Sequence, residues 1–153
     1  MDYSKTIKKT DEASKALIIE ALADNVTFGF DVDSIYYFES EGRWVVIEFL
    51  KCDHVSVRPA NSHPSRYWGM NWRKFASLWR LVEALKAEFY LVNYEDQAHA
   101  SAQQRSEREF RIIKVLSLDP TEKGGIKNDE CRTMNFQEFR AWFQNLNNRG
   151  KAK

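Results

Sequence analysis

Asp33 and Glu48 are the residues whose types and spacing most suggest chemistry. Asp33 opens a β-branched and aromatic stretch, Ser34 to Phe38 (SIYYF), and Glu48 lies inside another, Arg43 to Lys51 (RWVVIEFLK). Between them is Glu39-Ser40-Glu41-Gly42, a short polar turn ending in the glycine that a bulged hairpin loop favours. With Phe38 paired to Arg43, opposed residue numbers sum to 81, which sets Asp33 across from Glu48. Directly opposed residues of an antiparallel pair project to one face with Cβ atoms about 5 Å apart, and Asp31 flanks that side if the strand extends back to it. Opposed like charges destabilise a sheet, and a lone carboxylate inside an apolar run is costly to bury. A hard divalent cation, Mg²⁺ or Mn²⁺, held by Asp33 and Glu48 with Asp31 as a third ligand, would offset that cost, since such ions take oxygen ligands and keep waters and phosphate oxygens. The alternative is a solvent-exposed acid-bearing face on which Glu48 pairs with a nearby lysine or arginine.

A basic and aromatic segment follows directly. His54, Arg58, His63, Arg66, Arg73, Lys74 and Arg80 are interleaved with Tyr67, Trp68 and Trp72, a mixture that binds phosphates through its cations and stacks bases on its rings. Arg58, His63, Arg66, Trp68, Arg73 and Lys74 are the candidate nucleic-acid contacts. Singly, each has a plainer reading, with the tryptophans as core anchors at a helix entrance and the cations as a solvated helix face. The charge distribution favours the collective reading. Residues 1–50 carry five Lys/Arg against ten Asp/Glu, residues 51–80 six against one, and residues 81–153 twelve against eleven. A basic block beside two convergent acids suits a polyanionic substrate.

Cys52, His54 and His63 raise a zinc alternative, but no fourth ligand at good spacing is evident apart from Asp53. No GxGxxG, Walker lysine loop, GxSxG elbow or HExxH occurs, so nucleotide-binding, hydrolase-elbow and zincin readings lack an entry point.

The elements that must position these residues follow from periodicity. Residues 11–23 (DEASKALIIEALA) are good helix formers with an apolar stripe, and residues 25–30 (NVTFGF) could be a short strand or a lead-in. The hairpin comes next. Residues 52–71 read as an irregular connection, and residues 72–87 as a helix with Phe75, Leu78, Trp79, Val82 and Leu85 on one face. Residues 88–95 (EFYLVNYE) form a strand that completes a strand–helix–strand crossover and so a parallel pair. Residues 96–109 are polar, 110–118 (FRIIKVLSL) read as a strand, and 119–133, with Pro120 and Gly124-Gly125, as a loop. Asn135 with Glu138 resembles a capping box opening a last helix, whose apolar face is Phe136, Phe139, Trp142, Phe143 and Leu146. The expected fold is α/β, a mixed sheet flanked by helices, in the order α-(β)-β-β-α-β-β-α. It is expected as one domain, 1–153, with a core at 10–95 and a strand–helix extension at 110–147.

Composition is consistent with this. The 153 residues are 43% hydrophobic and 14% aromatic, enough to fill one core. No run of eighteen apolar residues occurs and the N-terminus is polar, so the sequence offers neither a membrane span nor a signal peptide. Two distant cysteines suit a reducing compartment, and the cytoplasm is the expected location.

The order helix, short strand, Asp-bearing strand, Glu-bearing strand, helix, strand, with Asp33 opening SIYYF and Glu48 in WVVIEFLK, resembles the PD-(D/E)XK nuclease superfamily across residues 10–95. The resemblance implies that Asp33 and Glu48 bind Mg²⁺, that a metal-activated water attacks a phosphodiester, and that a lysine near Glu48 assists. The expected function is a metal-dependent endonuclease acting on DNA, as a homodimer if both strands of a duplex are cut. Two positions depart from the pattern. Val32 replaces the proline before the acid, and Leu50 occupies the lysine's place two residues after Glu48. Lys51, the candidate catalytic lysine, should face away by strand alternation unless a bulge brings it round; Lys74 on the following helix could take its role. The alternative is a non-catalytic binding or interaction module that keeps the scaffold and has lost the lysine.

Overall fold

The computed structural model describes residues 11–25, 27, 29–52, 57–98 and 107–151. The chain divides into two units, Met1–Asp31 and Val32–Lys153. In the first, helix α1 spans Asp11–Leu22 and ends where Ala23 turns to φ 51°, its N–H reaching the Ile19 carbonyl at 3.0 Å. Leu17, Ile18 and Ile19 on this helix are exposed. Of the tentative strand at 25–30, Val26 and Phe28 lie outside the described residues, and the others are not in a strand.

The second unit is an α/β domain built on a five-stranded mixed sheet. Strands β1 (Ser34–Phe38), β2 (Arg43–Lys51), β3 (Glu88–Tyr94), β4 (Glu109–Asp119) and β5 (Gly125–Asn135) lie side by side in chain order. All neighbours are antiparallel except β2 and β3. That parallel pair requires a crossover, which is supplied by two 3₁₀ turns (Pro59–Asn61 and Pro64–Tyr67) and helix α2 (Trp68–Leu85). Helix α3 (Phe136–Arg149) closes the chain. Among the described residues, no helix is long and apolar enough to cross a membrane.

Side-chain alternation distributes the apolar residues to both faces. On the α2 face, Val46, Leu91, Phe89, Ile113 and Val115 pack with Trp68, Phe75, Leu78 and Val82. On the other face, Val45, Ile47, Val92, Phe110, Ile112 and Met134 pack with Leu146 and with the α3 aromatics Phe139, Trp142 and Phe143. A central strand covered on both sides must be apolar at consecutive positions. That is why β2 runs Val45-Val46-Ile47, all with no exposed surface, and why Glu48 stands out in it.

The hairpin register is the expected one, Ser34 against Ile47 through Phe38 against Arg43. Gly42, at φ 61°, takes the left-handed conformation that closes the turn, and its N–H reaches the Phe38 carbonyl at 2.8 Å. Helix α2 begins at Trp68, four residues earlier than periodicity suggests. The Trp68 indole N–H donates to the Thr121 carbonyl at 2.9 Å and its ring stacks on Phe75 with centroids 5.5 Å apart. The helix ends with Lys86 at φ 52° and the Ala87 N–H on the Val82 carbonyl at 2.9 Å, a left-handed C-terminal closure. Helix α3 starts with the expected capping box, the Asn135 side chain accepting from the Glu138 N–H at 2.8 Å.

One element corrects the sequence reading. Residues 125–135, expected mostly as loop, form β5, as long as β4 and paired with it. The strand escapes hydrophobic patterning because it is an edge. Its central stretch, Lys127 to Thr133, has only Asp129 partly covered and needs no apolar alternation. Pro120 and Gly124 serve instead the turn that joins the two strands.

Candidate functional site

The site grows out of the β1–β2 register. Continuing the pairing one step beyond Ser34 brings Asp33 opposite Glu48. The Asp33 Oδ2 accepts from the Phe49 N–H at 2.8 Å, which fixes this carboxylate at the strand end although the residue is exposed. Glu48 is 1% exposed and shares the α2 face of the sheet with Val46 and Leu91. Lys74 meets it from α2 in an ion pair between Nζ and Glu48 Oε1. The other oxygen, Oε2, is buried. Glu48, Leu50, Lys51, Tyr67, Asn71 and Lys74 line a cleft of about 280 Å³ at this point.

Electrostatics follow from that placement. Burial pushes the Glu48 carboxyl up from 4.5 to about 7; the hydrogen bond from Lys74 opposes the rise, and the adjacent Asp33 carboxylate adds to it by repulsion and by a hydrogen bond that favours the protonated form. The carboxylates therefore interact, as opposed positions on a hairpin should.

The two candidate lysines line the same cleft but take different partners. The β2–β3 ladder is unbroken from Val45 against Glu88 to Lys51 against Tyr94, so no bulge turns Lys51 toward Glu48. Its ammonium lies 3.0 Å from Asp96 Oδ2 at the rim of the cleft. Leu50, which shares Glu48's face, packs against the α2-side core. The lysine that reaches Glu48 is Lys74, carried one helical turn beyond Asn71. Asp31 ends the N-terminal unit and is exposed.

The basic segment is only partly a free surface. Trp68 is 5% exposed and its ring is committed to the core, so it presents no face for a base. Arg58 pairs with Glu109 at 2.9 Å and lies 3.6 Å from the fully buried Glu95. His63 contacts Asp129 at 2.8 Å, while its Nδ1 accepts from the Ser65 N–H at 3.2 Å. Arg66 is exposed, with one N–H on the Asn61 carbonyl at 2.7 Å. Arg73 is also exposed and sits over the Trp72 ring at 5.5 Å.

Further contacts explain how an irregular connection positions Lys74. The Ala60 N–H donates to Glu109 at 2.7 Å, the Asn93 amide to the Ser62 carbonyl at 2.6 Å, and Arg111 to the same carbonyl at 2.9 Å. Together with the Trp68 anchor they tie the segment before α2 to β3 and β4, and the helix then delivers Lys74 over β2. Glu95 and Asn93 were not singled out in the sequence; polar residues ending the apolar run FYLV were the available signal. Asn71 falls in the stretch expected as an irregular connection, and the earlier start of α2 at Trp68 places it on the helix one turn before Lys74.

The zinc alternative divides. Cys52 is buried, Asp53 and His54 lie outside the described residues, and His63 is turned to β5. There it joins Asp129 and Cys131, whose ligand-type atoms lie within 4.8 Å of one another. Asp129 accepts from the Cys131 thiol at 3.1 Å. Burial and this hydrogen bond raise the thiol's pKa, whereas hydrogen bonds from Cys131 and His63 outweigh burial and lower that of Asp129. With the His63 Nδ1 taken up by Ser65, the proton belongs on Nε2, so the cluster is satisfied as a set of hydrogen bonds. Comparison with known proteins gives no match: no family model, no curated protein and no solved structure is similar to this chain.

Proposed function

We propose that this chain is a metal-dependent, nuclease-like protein of the cytoplasm that acts on phosphodiester bonds of nucleic acid, DNA foremost, with Mg²⁺ or Mn²⁺ held by Asp33 and Glu48. The observation that carries this reading is the state of Glu48. It is a carboxylate 1% exposed, paired on one oxygen by Lys74, within hydrogen-bonding reach of the Asp33 carboxylate, and lining a cleft. Two acids held this close repel when both are ionised, and a purely structural ion pair gains nothing from a second acid next to it. Two carboxylates with room for waters or phosphate oxygens fit a hard divalent ion. Bound there, the ion would supply Lewis-acid polarisation of a phosphoryl oxygen and a more acidic attacking water.

The chain's own residues do the positioning. The Phe49 amide holds the Asp33 carboxylate in place. Lys74 favours the ionised, ligand-competent form of Glu48 against the effect of burial and brings a cation to the cleft where a phosphate would lie. On this reading Lys74, and not Lys51, is the assisting lysine of the resemblance to PD-(D/E)XK nucleases. Tyr67 and Asn71 line the same cleft and would contact the nucleotide.

Leu50 in the lysine's usual strand position favours a second reading, a nuclease-fold module that binds without cleaving. A cleavage assay on branched, single-stranded and duplex DNA with and without Mg²⁺ or Mn²⁺ separates the two. Metal-dependent cleavage should fall by roughly a hundredfold or more in Glu48→Ala and Lys74→Ala and change only a few-fold in Lys51→Ala. Cleavage unaffected by Glu48→Ala would sink the site assignment, and DNA binding with no cleavage of any substrate would support the second reading.

A further inference from the structure

Strand β5 ends the sheet, so along one side its backbone N–H and C=O groups have no neighbouring strand among the described residues. Charged residues commonly guard such an edge against pairing. Here Lys127, Asn128 and the run Glu130 to Thr133 are exposed. Helix α3 lies against one face of the strand, where Trp142 shares a pocket with Glu130, Arg132 and Met134. Helix α3 leaves from its C-terminal end and finishes with Arg149 bound to Glu41 in the β1–β2 turn, at the far side of the sheet.

We propose that β5 pairs antiparallel with β5 of a second copy across a twofold axis at Cys131, joining two five-stranded sheets into one. The order of charges selects this arrangement. A twofold axis normal to the sheet keeps its faces, so one residue must oppose itself on the axis. An axis at Asp129, Glu130 or Arg132 would oppose two like charges, which destabilises a strand pair. At Cys131 a neutral thiol opposes itself, and Glu130 faces the partner's Arg132 on both sides of the axis. In the same register Asp129 faces the partner's Thr133 and Lys127 faces the partner's Asn135. An axis at Asn128 would pair Lys127 with the partner's Asp129, but Asp129 is already engaged by His63 at 2.8 Å, and Ile126 would meet a glutamate. The acid–neutral–base order at Glu130-Cys131-Arg132 is thus self-complementary; an axis at Thr133 opposes no like charges but sets Arg132 against the partner's Met134 and gains no ion pair.

Opposed Cα atoms in such a pair lie about 4.5–5.5 Å apart, a span that a disulfide bridges. Cys131 is exposed and Cys52 is buried, so the thiol on the axis is a reporter of the register. Diamide as oxidant would take up the two electrons and two protons released when two Cys131 thiols form one S–S bond.

The proposal is independent of any nuclease activity, and its test is sedimentation velocity of the full chain in reducing buffer, paired with diamide cross-linking. The chain should show a concentration-dependent dimer. Arg132→Glu should raise the dissociation constant by roughly tenfold or more by setting like charges opposite one another. The double swap Glu130→Arg with Arg132→Glu should restore it to within a few-fold, and C131S should dimerise as the parent does while losing the cross-link. A chain that stays monomeric at hundreds of micromolar, a dimer indifferent to Arg132→Glu, a swap that fails to rescue, or a cross-link that persists in C131S would each overturn the arrangement.

Discussion

Replacing Glu48 by glutamine isolates the energetic consequence of burying this carboxyl. A pKa moved from 4.5 to about 7 corresponds to about 3 kcal/mol, at roughly 1.4 kcal/mol for each tenfold change in proton affinity. The sign follows from which state holds the proton more tightly. The folded protein does, so the contribution is fully present below the unfolded value of 4.5 and is lost as pH rises through about 7. Glutamine fills nearly the same space and cannot ionise. Urea unfolding in the presence of a chelator, from about pH 4.5 to about pH 8, should therefore show Glu48→Gln gaining about 3 kcal/mol on the parent across that range. The comparison cancels the titrating groups that do not interact with Glu48 and any constant cost of the substitution. Curves for parent and variant that stay parallel through neutral pH would refute the argument, because they would mean that Glu48 ionises alike in both states.

Two further predictions concern the elements that carry the site. Lys86→Gly at the end of α2, where the residue sits at φ 52°, should raise stability by about 1 kcal/mol in chemical denaturation, since glycine adopts this conformation without strain. Asn135→Ala removes the side chain that accepts from Glu138 at 2.8 Å and should cost about 1 kcal/mol, with amide exchange accelerated in the first turn of α3.

The polar network beneath the β2–α2 connection has a consequence for the site. Glu95 and Asn93 have no exposed surface, and each carries a contact that holds residues 57–63 to the sheet. The segment that looks irregular in sequence is thereby a fixed platform. The 3₁₀ turns and Trp68 set the start of α2, and α2 in turn sets the height at which Lys74 meets Glu48.

The sequence by itself determined the hairpin, its register and the opposition of Asp33 to Glu48, because a short turn closed by Gly42 fixes pairing and a period of two fixes sides. It also determined α2, α3 with its capping box, and the parallel β2–β3 pair, since those rest on local periodicity and on a crossover long enough to need a helix. Strand β5 was not legible, because an edge strand of charged residues carries no hydrophobic alternation and is specified by its neighbour β4. Nor were the fates of the cations. Which of Lys51 and Lys74 reaches Glu48, and whether Arg58, His63 and Trp68 face solvent or partners inside the protein, depends on residues far away in sequence: Asp96, Glu109, Asp129 and Thr121. Strand alternation could say only that Lys51 points away. The docking of α2 on the sheet decided that Lys74 takes the place beside Glu48.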